Sequence, residues 1–275
     1  MSNLYLVATP IGNLEDITYR AVRILKEVPL IAAEDTRTSA TLLKHYQIDT
    51  PLTSYHDHNK TEKTETLLAR LREGDLALVS DAGTPAINDP GYYLVKAAIL
   101  AGHLVIPIPG ASAPVAALSA SGLPTDNFLY LGYLPRKTKA RQDALEQVKD
   151  LPWTLVYLET PHRLLQSLED CEVVLSNRQI VVARELTKMH EEIYRGTISQ
   201  ARDHYTAKSP KGEITLVISG NESISTWPES QLISVIQKTL QNGEISPSQL
   251  AKSLVAESGW SRRDIYDLMQ GLQNK

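Results

Sequence analysis

Cysteine occurs once in the 275 residues, at Cys171. One thiol cannot close a disulfide framework, and no Cys/His spacing reads as a structural zinc site. No run of ~18 apolar residues is present, the length a membrane-spanning helix needs. The opening MSNLYLVATPIG has no basic segment leading into a long apolar one, so it does not read as a secretory signal. Two familiar nucleotide signatures, G-x-G-x-x-G and G-x-x-x-x-G-K-[ST], are also missing, which argues against a Rossmann dehydrogenase and a P-loop enzyme. An excess of positive charge is missing too: 28 Lys+Arg stand against 32 Asp+Glu, a net of -4. That balance argues against a generally basic nucleic-acid coat protein and leaves room for a local basic patch. Together these absences set the expectation of a cytoplasmic protein without a membrane segment.

Length divided by about 150 gives roughly two domains, and a chain this long buries about three quarters of its unfolded surface without staples. Residues 1–122 alternate short apolar runs with helical patterns. Strand candidates lie at 4–8, 30–33, 76–79 and 104–108, and helical patterns follow Asp16 and fill 62–73 and 91–101. Near-continuous apolar strands separated by helices predict a mostly parallel α/β sheet. Gly122-Leu123-Pro124 reads as a hinge into a second α/β segment, 123–225, of more mixed strand direction. Its strands are expected at 128–131, 154–158, 180–184 and 214–218, with helices at 139–149 and 161–169. Trp227-Pro228 marks a further break, and 226–275 reads as a helical tail with segments near 229–242, 247–258 and 262–273. The three segments carry net charges of -3, -1 and 0, so attraction to phosphate has to come from clusters.

Ligands in open α/β sheets sit beyond the carboxyl ends of the strands. Four turns rich in Gly, Pro and polar residues fall at such ends: Thr9-Pro10-Ile11-Gly12-Asn13, Glu34-Asp35-Thr36-Arg37, the segment SDAGTPAINDPG from Ser80 to Gly91, and Pro109-Gly110-Ala111-Ser112-Ala113. Gly and Pro there allow close approach of backbone to ligand. Any one of these is readable as an ordinary tight turn; four at one end of a sheet point to a binding site.

The segments VATPIGNLEDIT, AAEDTR, HDHN, SDAGTPAINDPG, PGAS, GYLPRK, YLETPHR, RELTK and GEITLV, in this order from about residue 4 to 218, resemble the signature segments of the tetrapyrrole-methylase superfamily. Within it the chain is most similar to the ribosomal RNA small-subunit methyltransferase I family. The resemblance implies the class III methyltransferase fold: two α/β domains with the cofactor in the cleft between them, here joined by a small C-terminal all-α domain. It implies an S-adenosylmethionine-dependent enzyme that methylates the ribose 2′-hydroxyl of a cytidine in 16S ribosomal RNA, at the decoding site of the small ribosomal subunit. Homodimers are typical of the superfamily. Carried onto this chain, the cofactor site comprises Pro10, Ile11, Asp81, Gly83, Thr84, Ser112, Ala113, Leu158, Ala183, Glu213, Ile214 and Thr215.

Methyl transfer to a hydroxyl needs in-line alignment and gains from a positioned base. Carboxylates at strand ends suit that role, with Asp35 and Glu34 ranked first and Glu159 and Glu185 second. Asp35 with Arg37 is also readable as a local pair or helix cap, and Arg163 with Glu185 as a structural ion pair. His56 and His58 alternate around Asp57, but this pattern is weak for a metal, and no metal site is expected. Arg136-Lys137-Thr138-Lys139-Ala140-Arg141 is the densest basic cluster. With Arg37, His56, Arg163 and Lys188 it forms the expected RNA contact set, and Tyr55, His56 and Tyr133 are candidates for stacking on a base. In the tail, Ser246-Pro247 opens a helix and Ser258-Gly259-Trp260 turns into another. This is a helix-turn-helix pattern readable as an RNA contact through Arg262 and Arg263, or as a structural cap. Two alternatives stand beside the RNA ribose methyltransferase. One is a small-molecule tetrapyrrole methyltransferase, which needs no basic cluster. The other is a non-catalytic ribosome- or nucleic-acid-binding protein, which leaves the turns at 9–13 and 80–91 without a purpose.

Overall fold

The computed structural model describes residues 2–208, 210–221, 227–242 and 246–273. The first part of the chain runs β1 (Asn3–Val7), α1 (Tyr19–Glu27), β2 (Ile31–Ala33), α2 (Thr36–His45), β3 (Leu52–Ser54), α3 (Lys60–Glu73), β4 (Leu76–Val79), α4 (Tyr92–Leu100), β5 (Leu104–Ile108) and α5 (Ala113–Ser121). Its five strands are all parallel, in the order β3-β2-β4-β1-β5.

The apolar runs of β1 and β4 divide by the two-residue period of a strand. Leu4, Leu76 and Leu78 face a core built with Leu67, Leu71 and Leu94. Val7, Ala77 and Val79 face the opposite one, with Ile24, Leu25, Ile31 and Leu43. Each fully buried Leu or Val contributes about 1.5–3 kcal/mol, and covering both faces is what a parallel sheet requires. Thr18, rather than Asp16, caps α1, its side chain accepting from the Ala21 amide at 3.1 Å.

The chain continues through β6 (Phe128–Tyr133), α6 (Thr138–Glu146), β7 (Thr154–Glu159), α7 (Leu164–Leu175), β8 (Gln179–Arg184), β9 (Glu192–Thr197), α8 (Ile198–Ala207) and β10 (Ile214–Ile218). The second sheet has the order β6-β7-β10-β8-β9. Only β6 and β7 are parallel, and the remaining pairs are antiparallel. Helix α5 lays Ala117 and Leu118 on this second sheet, against Val156, Val181 and Val217, and ends at Gly122 in the left-handed region (φ 81°). Cys171 on α7 is fully buried, and burial pushes its thiol up to about 12.

Five elements had no strong sequence signal. β3 is three residues long, and β9 (EIYRGT) is an edge strand broken by charge and glycine. α5 and α8 are built from Ser and Ala or are interrupted by polar residues, so their periodicity is faint, and α2 begins inside the Glu34–Arg37 segment, which reads as a turn in the sequence.

Residues Gln147–Pro152 and Gly220–Lys275 form a second compact unit. Helices α9 (Glu229–Asn242), α10 (Pro247–Ser258) and α11 (Arg262–Gln273) match the three expected segments. They share a core of Leu232, Ile236, Leu250, Leu254, Ile265 and Met269. Ser246 and Gln249 close a capping box on α10, and Gly259 (φ 70°) makes the turn toward α11. The expected boundary at 225/226 lies outside the described residues.

One expected RNA contact is corrected here. Arg141 is 1% exposed. Its guanidinium is clamped by Asp170 of α7 at 2.5 and 2.6 Å and donates to the Pro135 and Arg136 carbonyls at 3.2 Å. Gln142 takes the other Asp170 oxygen at 2.7 Å. A cation so enclosed is structural and cannot meet phosphate. Removing one partner of a buried pair leaves an uncompensated charge. Arg141→Met is therefore expected to cost about 3–5 kcal/mol of stability, read as a lowered urea midpoint. Unchanged stability would show that the pair is dispensable.

Candidate active site

The turn after β1 is zipped to the turn after β4. Thr9 N donates to Gly83 O at 2.9 Å and Gly83 N to Thr9 O at 3.0 Å. Thr9 Oγ1 also reaches the Ser80 carbonyl at 3.2 Å. Thr84 Oγ1 then donates to Ala111 O at 3.3 Å, bringing in the turn after β5. The turn after β2 is locked to the same group: Asp35 N donates to Asp81 Oδ1 at 3.1 Å, and Asp81 N to Glu34 Oε2 at 3.3 Å. Four strand-end turns thus become one surface.

The second sheet supplies the opposite wall. Tyr130 and Tyr133 come from β6, Leu158 from β7, and Glu213, Ile214 and Thr215 from the start of β10. Two close approaches hold the walls together. A Cβ on Gly12 would lie 2.4 Å from Lys188 Cγ, and one on Gly132 (φ +65°) 2.5 Å from Asn88 Nδ2. Between the walls lies a cleft of about 220 Å³.

Ten of the twelve expected cofactor positions line this cleft: Ile11, Asp81, Gly83, Thr84, Ser112, Ala113, Leu158, Glu213, Ile214 and Thr215. Pro10 and Ala183 do not. Ala183 is buried in β8, opposite Thr215. The cleft also takes in Glu34 and a residue that the sequence did not single out, Asp89. It sits inside the SDAGTPAINDPG segment, where its carboxylate competed for attention with that of Asp81.

The carboxylates differ sharply in environment. Asp35 caps α2 through the Arg37 amide at 2.8 Å and holds the Arg37 guanidinium at 2.6 Å. These Arg37 hydrogen bonds drop its carboxyl to about 2, and it is not on the cleft wall. Glu34 is raised by burial and by Asp81, Asp57 and Asp35, and Asp81 is raised mainly by burial. Asp89 is raised furthest, to about 6, by burial and then by Glu34, Asp81 and Glu213, against a hydrogen bond from the Ser80 side chain. Glu159 is buried and closed off: it takes the Thr160 amide at 2.7 Å, the Ser167 hydroxyl and Arg163 at 3.3 Å. Glu185 is spent on Lys188 at 2.8 Å, which lowers its carboxyl.

Of the expected RNA contacts, Arg136 and Lys137 are exposed and carry no ion pair among the described residues, while exposed Lys139 pairs with Asp143 at 2.8 Å. Arg163 instead donates to the carbonyls of Leu134 and Pro135, and Lys188 bridges Glu185 and Glu213. His56 is partly buried with Nε2 beside Asn59 Nδ2 at 3.3 Å, and its Nδ1 has no partner. Tyr55, a candidate for stacking, is 1% exposed and bonds Thr64 at 3.1 Å, so it cannot meet a base. Tyr133 is half exposed on the cleft wall. Among the described residues no three His, Cys, Asp or Glu side chains are grouped to hold a metal ion.

The sequence profile of the Tetrapyrrole (Corrin/Porphyrin) Methylases matches residues 3–202. Curated relatives called "Ribosomal RNA small subunit methyltransferase I" cover most of the chain. The protein from Halalkalibacterium halodurans is 48% identical, covering 96% of this chain and 93% of that one. The Synechocystis sp. protein is also 48% identical, covering 99% of both. That from Escherichia coli O157:H7 is 51% identical over 80% of this chain and 78% of its own. Among solved structures, cobalt precorrin-4 methyltransferase superposes with a TM-score of 0.58 at 17% identity, covering 79% of this chain and 94% of that one. The methyltransferase CobJ gives 0.61 at 16%, covering 80% and 95%. These two share the fold. Profile, full-length relatives and fold agree, and the chain belongs to the tetrapyrrole methylases and, within them, to the ribosomal RNA small subunit methyltransferase I family.

Proposed function

We propose that this protein transfers the methyl group of S-adenosylmethionine to the ribose 2′-hydroxyl of a cytidine in 16S ribosomal RNA, at the decoding site of the small subunit. The observation that carries this reading is the single cleft on which ten of twelve family cofactor positions converge, in a chain nearly half identical to small-subunit RNA methyltransferases. In this reading 1–122 and 123–225 are the two catalytic domains and 226–275 an accessory helical domain of a cytoplasmic homodimer. The exposed Ile99 and Leu100 at the end of α4 and Leu104 at the start of the edge strand β5 support self-association.

The residues present fit the cofactor. Its charge is net positive, and Glu34, Asp81 and Glu213 make the cleft anionic. Ser112 caps α5 without a side-chain hydrogen bond; Pro114 has no N–H and the Ala116 N–H is bonded to Ser112 O, so the Ala113 and Val115 amides are the first-turn donors open to a carboxylate. Gly83, Ala82 and Ala113 keep the floor low enough for a ligand to lie against the backbone. When bound, S-adenosylmethionine supplies an electrophilic methyl carbon on a sulfonium. The chain's own task is to align the ribose oxygen with that carbon, exclude water and accept the hydroxyl proton. Tyr133 on the wall gives an aromatic face for the target nucleotide, and Arg136 and Lys137 are exposed to phosphate.

Three outcomes are expected. Ala113→Leu fills the cleft floor at a cost of about 1–3 kcal/mol, so calorimetry should show cofactor affinity falling ~10- to 100-fold with the fold intact; unaltered affinity would place the cofactor elsewhere. Tritiated methyl from S-adenosylmethionine, offered to 30S particles, free 16S RNA and a tetrapyrrole, should appear in ribose. Label in a base or in the macrocycle would overturn the assignment. Arg136→Ala with Lys137→Ala should weaken RNA binding and flatten its salt slope by about one per cation removed, whereas an unchanged slope would remove this loop from the RNA path.

A further inference from the structure

Seven carboxylates lie at or near the site, and all but one are already engaged by a cation or a backbone amide. Asp35 is held by Arg37, Glu185 by Lys188, and Glu159 by Arg163 and Ser167. Glu213 is 73% exposed and bound to Lys188 at 3.1 Å. Glu34 and Asp81 each accept a backbone N–H from the neighbouring turn. Asp89 lines the same cleft, accepts no backbone N–H and pairs with no cation among the described residues.

Its loop is shaped to hold it there. Between Ser80 and Gly91 the backbone enters the left-handed region at Gly83 (φ 78°), Ala86 (69°), Asn88 (62°) and Gly91 (149°). Two of these are not glycine, the kind of outlier that persists where surrounding structure over-determines the backbone. Packing supplies that determination: a Cβ on Gly91 would lie 2.9 Å from Leu78 Cδ2 and 3.0 Å from Ala86 Cβ, and Asn88 is seated over Gly132 of β6. The residue between Asn88 and Gly91 that faces the cleft is Asp89.

We propose that Asp89 is the general base of the methyl transfer, the group that takes the proton from the ribose 2′-hydroxyl; this rests on the function proposed above. As the O–C bond forms, the S–C bond breaks with its electron pair remaining on sulfur. The hydroxyl proton passes to the Asp89 carboxylate and from there to solvent. Every element packed around the carboxylate bears on its titration. The turn after β2 presents Glu34, the turn after β4 presents Ser80 and Asp81, the start of β10 presents Glu213, and β6 presents the Tyr130 and Tyr133 phenols. Lys188 and Arg37 are spent on other carboxylates. Burial and three like charges raise Asp89 to about 6, near the operating pH at which a base is most effective. Asp35, at about 2, is a far weaker base.

The test reads titration, binding and turnover together. In the free protein, NMR of labelled aspartate carboxyls should find Asp89 titrating near 6. The pH profile of kcat/KM for S-adenosylmethionine, which reports the free protein, should rise through that value with unit slope, since only the ionised form accepts a proton. Asp89→Asn should fold, bind S-adenosylmethionine with near wild-type affinity and lose turnover by ~100-fold or more, together with that acid limb; Asp89→Glu should restore part of it. Glu34→Gln removes a like charge, so it should move the limb to lower pH. The proposal is overturned if Asp89 titrates in the ordinary carboxylate range, if Asp89→Asn keeps turnover, or if that variant loses only cofactor affinity. Should wild-type protein leave ribose unlabelled, it is the function proposed above that fails, a result distinguishable from these three.

Discussion

Two hydrogen bonds between Thr9 and Gly83, each of about 3 Å, carry the geometry on which the site depends. Parallel strands end in turns that have no ladder partner of their own, and a turn left to itself explores many shapes. Here the turn after β1 completes a short antiparallel bridge with the turn after β4. Thr84 extends it to the turn after β5, and the reciprocal Glu34–Asp81 and Asp81–Asp35 contacts extend it to the turn after β2. Gly83 is indispensable to the bridge because its φ of 78° places its amide and carbonyl where a β-carbon would be strained.

This rigidity has an electrostatic price. Locking four turns together gathers carboxylates that repel one another, and the repulsion is relieved in different ways. Asp35 and Glu185 recruit cations, and Glu34 and Asp81 take backbone amides. Glu34 and Asp81 still rise, and Asp89, with neither a cation nor a backbone amide among the described residues, rises furthest. Among the described residues, unpaired positive charge lies outside the cleft, on the exposed Arg136 and Lys137. Arg141, though part of the same sequence cluster, is withdrawn to pin α6 on α7.

Much of this was legible in the sequence. The run Leu76–Val79 marked its strand to the residue, because a strand covered on both faces must be apolar throughout, and Leu104–Ile108 marked the edge strand β5 although much of it is exposed. The Gly- and Pro-rich turns marked the cleft, and resemblance assigned ten of its positions. What stayed hidden is set by three-dimensional partners. Arg141 reads as a phosphate contact until Asp170, 29 residues on, is seen beside it. Asp35 looks like the best base until Arg37 is seen to satisfy it. Asp89 could not be told from Asp81 because burial, the Asp35 N–H that only Asp81 accepts and the approach of Glu213 from the second sheet distinguish the two. Tyr55 offered an aromatic ring next to a histidine, and packing beneath α3 took it away.

The lone cysteine has a practical consequence. Cys171 is wholly enclosed on the buried face of α7, and its thiol, raised to about 12, is almost free of thiolate at neutral pH. Alkylating reagents act on the thiolate, so the native protein presents them with nothing, and modification has to wait for the helical layer over the second sheet to open. With no other thiol in the chain, a single mass increment becomes a clock for that opening. It separates loosening of the second sheet from events at the cleft without any engineered label.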